Sequence, residues 1–311
     1  MPAFTATAPG KIILLGEHAV VYGQPAIAVP VTQVETRATV TPRPGGKGFW
    51  ISAPAAGVDS PWDVLPPENP LRAALDGVCT TLKVRQFPAG TLKIQSTIPV
   101  AAGLGSGAAV SVALIRAVSA FLGLPLTDEQ VNALAYEVEK IHHGTPSGID
   151  NTVVTYARPV YFVKGQPVET FRVAAPFTLL IGDTGIPAPT KEAVGDVRRG
   201  WQAEPQRYER TFAALGSLAK AARQAIEGGR PERLGALMNE AHDWLCEMDV
   251  SHPKLDALVQ AARAAGAQGA KLSGGGRGGN MIALAPEGMA TAISLAMRNA
   301  GAVRVIASRV A

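Results

Sequence analysis

Cysteine is nearly missing from this sequence. Cys79 and Cys246 are the only two, far apart and without a CxxC or zinc-ligand spacing. They read as reduced, packed thiols, which excludes a disulfide-stapled scaffold. Aromatic residues make up 5%, too few for a base-stacking platform. Charge of one sign never accumulates: 29 basic residues face 25 acidic ones, the net charge is +4, and no block exceeds Arg198-Arg199. That excludes a basic nucleic-acid stripe and suits an acidic small-molecule substrate. Long apolar runs are missing too. The most apolar segment, 108–124, carries Arg116 and is short for a bilayer span. The start, MPAFTATAPGK, lacks the basic and apolar regions of a signal peptide. A soluble cytoplasmic chain is expected, with no membrane or nucleic-acid partner.

What the sequence does have is 311 residues, 47% of them apolar, enough for two domains with cores of their own. The first third is strand-rich: FTATA, KIILL, AIAVPV and VETRATVTP alternate with Pro and Gly signals, and a further strand is expected around Trp50. NPLRAALDGVCTTL reads as a helix with Asn69 as N-cap and Pro70 at the first position. TDEQVNALAYEVEKIHHG reads as another. Its capping box is Thr127 and Gln130, its buried stripe is Val131, Leu134, Ala135, Val138 and Ile141, and its stop is Gly144. NTVVTY and VYFV read as strands. Composition shifts near Pro176. FTLLIGDTG then reads as a buried strand, and helices follow over 191–226, 231–247 and 253–265. The chain closes as strand, glycine loop, strand, helix and strand. This order gives an α+β fold class, with domains at 1–175 and 176–311.

Glycine is abundant and concentrated. In VAAGLGSGAAVS, residues 100–111, a glycine turn opens an apolar helix, which aims backbone N–H groups and the positive end of a helix dipole at an anion. A Walker pattern fails for want of a following Lys-Ser or Lys-Thr. Gly103, Gly105 and Ala108 fit the letters of a dinucleotide fingerprint. The preceding TLKIQSTI argues against that fold. It alternates, whereas a strand in a doubly wound sheet is apolar throughout. The alternative is a tight turn without a ligand.

Three other segments carry chemistry-bearing residues. In PGKIILLGEHAVVYG, Lys11 opens a strand and Glu17-His18 follow it, against a plain solvated turn as the alternative. In EVEKIHHGTPSGIDN, Glu137 and Glu139 flank the apolar stripe on opposite sides, and periodicity does not choose between them. Asp150 ends an ordered turn and also passes for a turn residue ahead of a strand. His142 and His143 cannot share one helical face, so they form no metal pair. In KLSGGGRGGN, the glycines free the backbone for close approach to a ligand, and Arg277 adds a charge suited to phosphate.

In this order the four segments resemble the small-molecule kinases that include galactokinase, homoserine kinase, mevalonate kinase and phosphomevalonate kinase, over nearly the whole chain. GEHAVVYG, HGTPSGIDN and DTGIPAPTKEAV are most similar to the mevalonate kinase branch. The resemblance implies an N-terminal domain like the second domain of ribosomal protein S5 and a ferredoxin-like C-terminal domain, with the active site in the cleft between them. It implies ATP-dependent phosphorylation of the 5-hydroxyl of mevalonate, with Mg2+ as cofactor. Mevalonate and ATP would be the small-molecule partners, and a homodimer is left open. Asp150 matches the catalytic base and Lys11 the lysine beside it. Pro99, Gly103, Leu104, Gly105, Ser106, Gly107, Ala108 and Ala109 match the ATP-phosphate loop. Glu139 matches the magnesium ligand, joined by Ser106. Glu17, His18, Ser147, Gly148 and Thr190 match substrate contacts. Two departures stand out. Gly107 replaces a serine that is commonly a metal or phosphate ligand, and Arg277 intrudes into the last glycine motif. The rival readings are a sister kinase for another hydroxy acid or for the 3-hydroxyl of mevalonate, a non-catalytic sensor, and a dinucleotide-dependent oxidoreductase.

Overall fold

The structure, a computed structural model, describes residues 2–99, 102–143, 146–188 and 190–311, with 142 and 143 described by backbone alone. The expected helix stop at Gly144 and the side chains of His142 and His143 therefore lie outside the described residues. In chain order the elements are β1 (Phe4–Leu15), β2 (Ala26–Pro42), β3 (Phe49–Ala53), β4 (Val58–Pro61), α1 (Pro70–Leu82), β5 (Gly90–Ser96), α2 (Ser106–Phe121), α3 (Asp128–His143), α4 (Ile149–Tyr156), β6 (Val160–Phe162) and β7 (Glu169–Thr170). Then follow β8 (Phe177–Asp183), α5 (Thr190–Ala203), α6 (Pro205–Glu227), α7 (Leu234–Glu247), α8 (Pro253–Ala264), β9 (Gly269–Ser273), β10 (Asn280–Ala285), α9 (Ala290–Asn299) and β11 (Arg304–Val310). No helix among the described residues is long and apolar enough to cross a membrane.

The chain forms two compact units. The first comprises Met1–Gly10, Val34–Pro99 and Gly105–Ala157; the second comprises Lys11–Gln33, Val100–Leu104 and Arg158–Ala311. In the first unit, β5 pairs antiparallel with β2 and parallel with β3, and β3 pairs with β4. Leu92 and Ile94 of β5 are buried while Lys93 and Gln95 are exposed, the alternation read from the sequence. Helices α1 to α4 pack on one another, and α2 packs on β5. Ala108, Val112, Leu114, Ile115 and Val118 of α2 are among the core residues. The expected caps form. Asn69 Oδ1 accepts from the Leu71 N–H at 2.9 Å. Thr127 and Gln130 bond reciprocally, at 3.0 and 3.4 Å.

In the second unit, β8, β9, β10 and β11 form an antiparallel sheet in the order β11-β8-β10-β9. With helices between β8 and β9 and between β10 and β11, this is the ferredoxin-like βαββαβ arrangement. Helices α7, α8 and α9 pack against it.

Several sequence expectations change. FTATA and KIILL are one strand, β1, and AIAVPV and VETRATVTP are one strand, β2. The helix expected over 191–226 is two helices, broken where Pro205 starts α6 without an N–H to donate. NTVVTY is helical: it belongs to α4, although Val153, Val154 and Thr155 favour strands. Burial of this segment against α2 and α3 overrides propensity, and the Asn151 side chain donates to Asn132 Oδ1 at 2.7 Å. Ile141 is exposed, outside the buried stripe of α3. The two thiols are free as expected, but Cys246 is exposed rather than packed.

Candidate active site

Two glycine loops and the residues around them form the chemistry-bearing regions; the first loop enters the first unit at Gly105, and the second lies in the second unit.

In the first unit, α2 starts at Ser106 behind Gly105, whose φ of 70° places it in the left-handed region. No side chain among the described residues caps this helix start. Its first-turn N–H groups therefore point outward at the positive end of the helix dipole. Gly107 is exposed, whereas Ala108 and Ala109 anchor the turn in the core; Gly103, which belongs to the second unit, is exposed as well. Glu139 of α3 is buried, and a Cβ built on Gly107 lies 3.5 Å from its Oε1. Glu137 is exposed and accepts from Lys140 Nζ at 2.7 Å. Of the two glutamates, Glu139 is thus the one brought to the glycine loop. A carboxylate beside an anion-attracting helix start is suited to bind a hard cation together with an anion. Asp150 is half-buried in the first turn of α4, not in a turn before a strand, and sits at the positive end of that helix. Gly148, with φ 85°, caps α4, and Ser147 Oγ accepts from the Ile149 N–H at 3.3 Å. Pro99 is half-buried beyond β5.

In the second unit, Lys11 is buried in β1, and its backbone N–H donates to Leu104 O at 3.0 Å. Asn280 Nδ2 donates to Ala102 O. These bonds hold the leading residues of the first glycine loop. Glu17 and His18 are buried just beyond β1. Glu17 Oε1 accepts from the ammonium of Lys271, which is completely buried in β9. His18 adopts φ 58°, and its Nε2 lies 3.1 Å from Gly275 O. Burial pushes the His18 pKa down to about 4, with Arg277 and Lys271 lowering it further and the Gly275 bond opposing them. The ring is therefore neutral, donates through Nε2–H and keeps Nδ1 as an acceptor.

In the second glycine loop, Gly275, Gly276 and Gly278 pack closely within the chain, while Gly274 faces open space. A Cβ on Gly275 would come 2.7 Å from Thr190 Oγ1; on Gly276, 1.9 Å from Val250 O; and on Gly278, 2.8 Å from both Ile186 O and Pro187 O. Thr190 opens α5 and is exposed. Arg277, with φ 57°, donates to Asp196 Oδ2 on α5 and lies 3.3 Å from Asp249 O. It ties the loop to α5.

The sequence reading did not assign Lys271 or Asp196. Lys271 carried a signal: it is the one charged residue in a β-hairpin, AKLS and NMIALA, that is otherwise apolar or small and neutral. Asp196 carried none, because an acidic residue on an exposed helix is common.

Comparison with known proteins follows the same lines. Family models described as "GHMP kinases N terminal domain" and "GHMP kinases C terminal" match residues 70–158 and 218–303. A mevalonate kinase of Thermococcus gammatolerans is 40% identical, over 94% of this chain and 92% of its own. One of Aeropyrum pernix is 38% identical, over 92% of this chain and 90% of its own. Among solved structures, L. major mevalonate kinase in complex with R-mevalonate is 32% identical with a TM-score of 0.84, covering 98% of this chain and 95% of that one. Methanococcus jannaschii mevalonate kinase, 24% identical, has the same fold with a TM-score of 0.87, covering 100% of this chain and 99% of that one.

Proposed function

Because the chain belongs to the GHMP kinases, within the mevalonate kinase branch, we propose that it transfers the γ-phosphoryl group of ATP to the 5-hydroxyl of mevalonate. The observation that supports this reading most is the buried Glu139 carboxylate beside Gly107, at a helix start that no described side chain caps. A carboxylate there would repel a bare polyphosphate, whereas a metal-bound polyphosphate satisfies both charges. Glu139 and Ser106 would hold Mg2+, whose preferred ligands are hard oxygens. When bound, the ion neutralises charge on the phosphate oxygens.

The remaining work falls to the chain's own residues. The backbone N–H groups of Ser106, Gly107 and Ala108, with Pro99, Gly103, Leu104 and Gly105 shaping the turn and Ala109 closing it through its N–H bond to Gly105 O, bind the phosphate oxygens. Asp150 accepts the proton of the 5-hydroxyl, and Lys11 supplies positive charge for the alkoxide. Glu17, His18, Ser147 and Gly148 orient mevalonate, while Thr190 contacts the transferred phosphate. Catalysis in such a transfer rests on positioning and electrostatics. A Cβ at Gly107 makes only ordinary contact with Glu139, so Gly107 is not enforced by crowding.

The test is ADP release by the purified protein with Mg-ATP and, separately, mevalonate, phosphomevalonate, homoserine and galactose. Release with mevalonate alone is expected. Release with another acceptor, and none with mevalonate, would overturn the substrate.

A further inference from the structure

Lys271 is a buried charge that the scheme above does not use. All five residues of β9 are buried, and Lys271 is completely inaccessible. Burying an ammonium is costly, and an apolar side chain of similar volume is often at least as stable in such a place. The Lys271 ammonium donates to Glu17 Oε1 and, at 2.5 Å, to Leu272 O. Burial pushes the Lys271 pKa down, and Glu17 opposes that shift. The same strand end is fixed by Ser273 Oγ, which donates to Ile13 O of β1 at 2.7 Å.

What this anchoring leaves over is specific. Glu17 Oε2 and His18 Nδ1 are buried and have no hydrogen-bond partner among the described residues. Both are acceptors, from consecutive residues, and His18 is held with a left-handed φ of 58°. Unpaired buried acceptors and local backbone strain together are features of a ligand-binding position. Two acceptors suit O–H donors and disfavour a carboxylate.

We propose that Lys271 is a positioning residue for the acceptor substrate: by holding Glu17 Oε1 it leaves Glu17 Oε2 and His18 Nδ1 to receive the substrate's hydroxyl groups. The inference rests on the mevalonate reading of this site and adds to it which functional group of the substrate is read here, and by what support. Lys271 acts through Glu17 and does not touch the reacting atoms.

The experiment compares wild type, Lys271→Arg, Lys271→Met and the double variant Glu17→Met/Lys271→Met, on mevalonate and on 5-hydroxy-3-methylpentanoate, which lacks the tertiary hydroxyl. In wild type the tertiary hydroxyl is expected to lower KM by about tenfold, the scale of one hydrogen bond to a charged group. In Lys271→Met the KM for mevalonate rises by about tenfold while that for ATP changes by less than about twofold, and Lys271→Arg recovers part of the loss. The double variant covers the case in which Lys271→Met fails to fold. It removes both charges, is expected to melt no lower than wild type, and still prefers mevalonate less than wild type does. A folded double variant with wild-type KM and undiminished preference would mean a purely structural pair and overturn the proposal. Wild type that does not phosphorylate mevalonate at all overturns the functional reading, and this inference with it. Active wild type beside unaffected variants overturns the Lys271 assignment alone.

Discussion

Glu137 and Glu139 stand two positions apart on α3 and end in different surroundings. Glu137 shares an exposed pair with Lys140, of a kind that contributes little to stability. Glu139 is 5% exposed and reaches the glycine loop. Glu139→Gln is expected to raise the Mg2+ concentration needed for half-maximal activity; an unchanged Mg2+ titration would count against it as a ligand. Asp150→Ala is expected to abolish turnover while ATP still binds by calorimetry, and normal turnover would remove Asp150 as the base. Two histidines set an acid limit. His18 and His242 are both depressed to about 4 by burial, against 6.5 for a free ring. As pH falls through 6.5, the unfolded chain takes up protons that the folded chain refuses until about 4. Their stabilising contribution is therefore full above about 6.5, declines down to about 4 and is lost below that. Urea midpoints should fall over this window, and His242→Gln should flatten the decline by one proton's share. An identical slope in the variant would contradict the buried neutral state of His242.

At the scale of elements, local chemistry was legible where a side chain contacts its own backbone. The Asn69 cap and the Thr127–Gln130 box follow from a few neighbouring residues, and both form. Helix α4 was not legible, because its β-branched residues favour strands and only burial against α2 and α3 makes it helical. The break at Pro205 was legible and missed; a proline inside a long helical pattern marks a boundary. Periodicity did not choose Glu139 over Glu137, since it places them on either side of one stripe; the resemblance chose Glu139, and the packed helix brings that residue to the glycine loop. In the second glycine loop the close packing of Gly275, Gly276 and Gly278 against Thr190, Val250 and residues 186–187 was not legible, because it depends on segments distant in sequence. Two substitutions separate that packing from backbone strain. Gly274→Ala meets open space at φ 85° and is expected to cost about 1 kcal/mol from backbone strain. Gly276→Ala adds a collision with Val250 O at 1.9 Å and is expected to cost at least about 3 kcal/mol. Chemical denaturation checks both, and equal costs would contradict the packing role.

At the scale of the molecule, composition and order carried most of the fold. Beyond the composition shift near Pro176 lies β8, the first strand of the four-stranded sheet, and the later strand and helix order closes as βαββαβ. Each glycine segment has its own surroundings: one precedes the helix start beside Glu139, and the other backs His18 and Thr190. The central claim is transfer to one particular hydroxyl. The most direct measurement is the proton-coupled phosphorus NMR spectrum of the product from ATP and R-mevalonate. A phosphate on the 5-hydroxyl is attached to a CH2 group and gives a triplet, the predicted result. A phosphate on the tertiary 3-hydroxyl has no proton on its carbon; the resulting singlet would contradict the account.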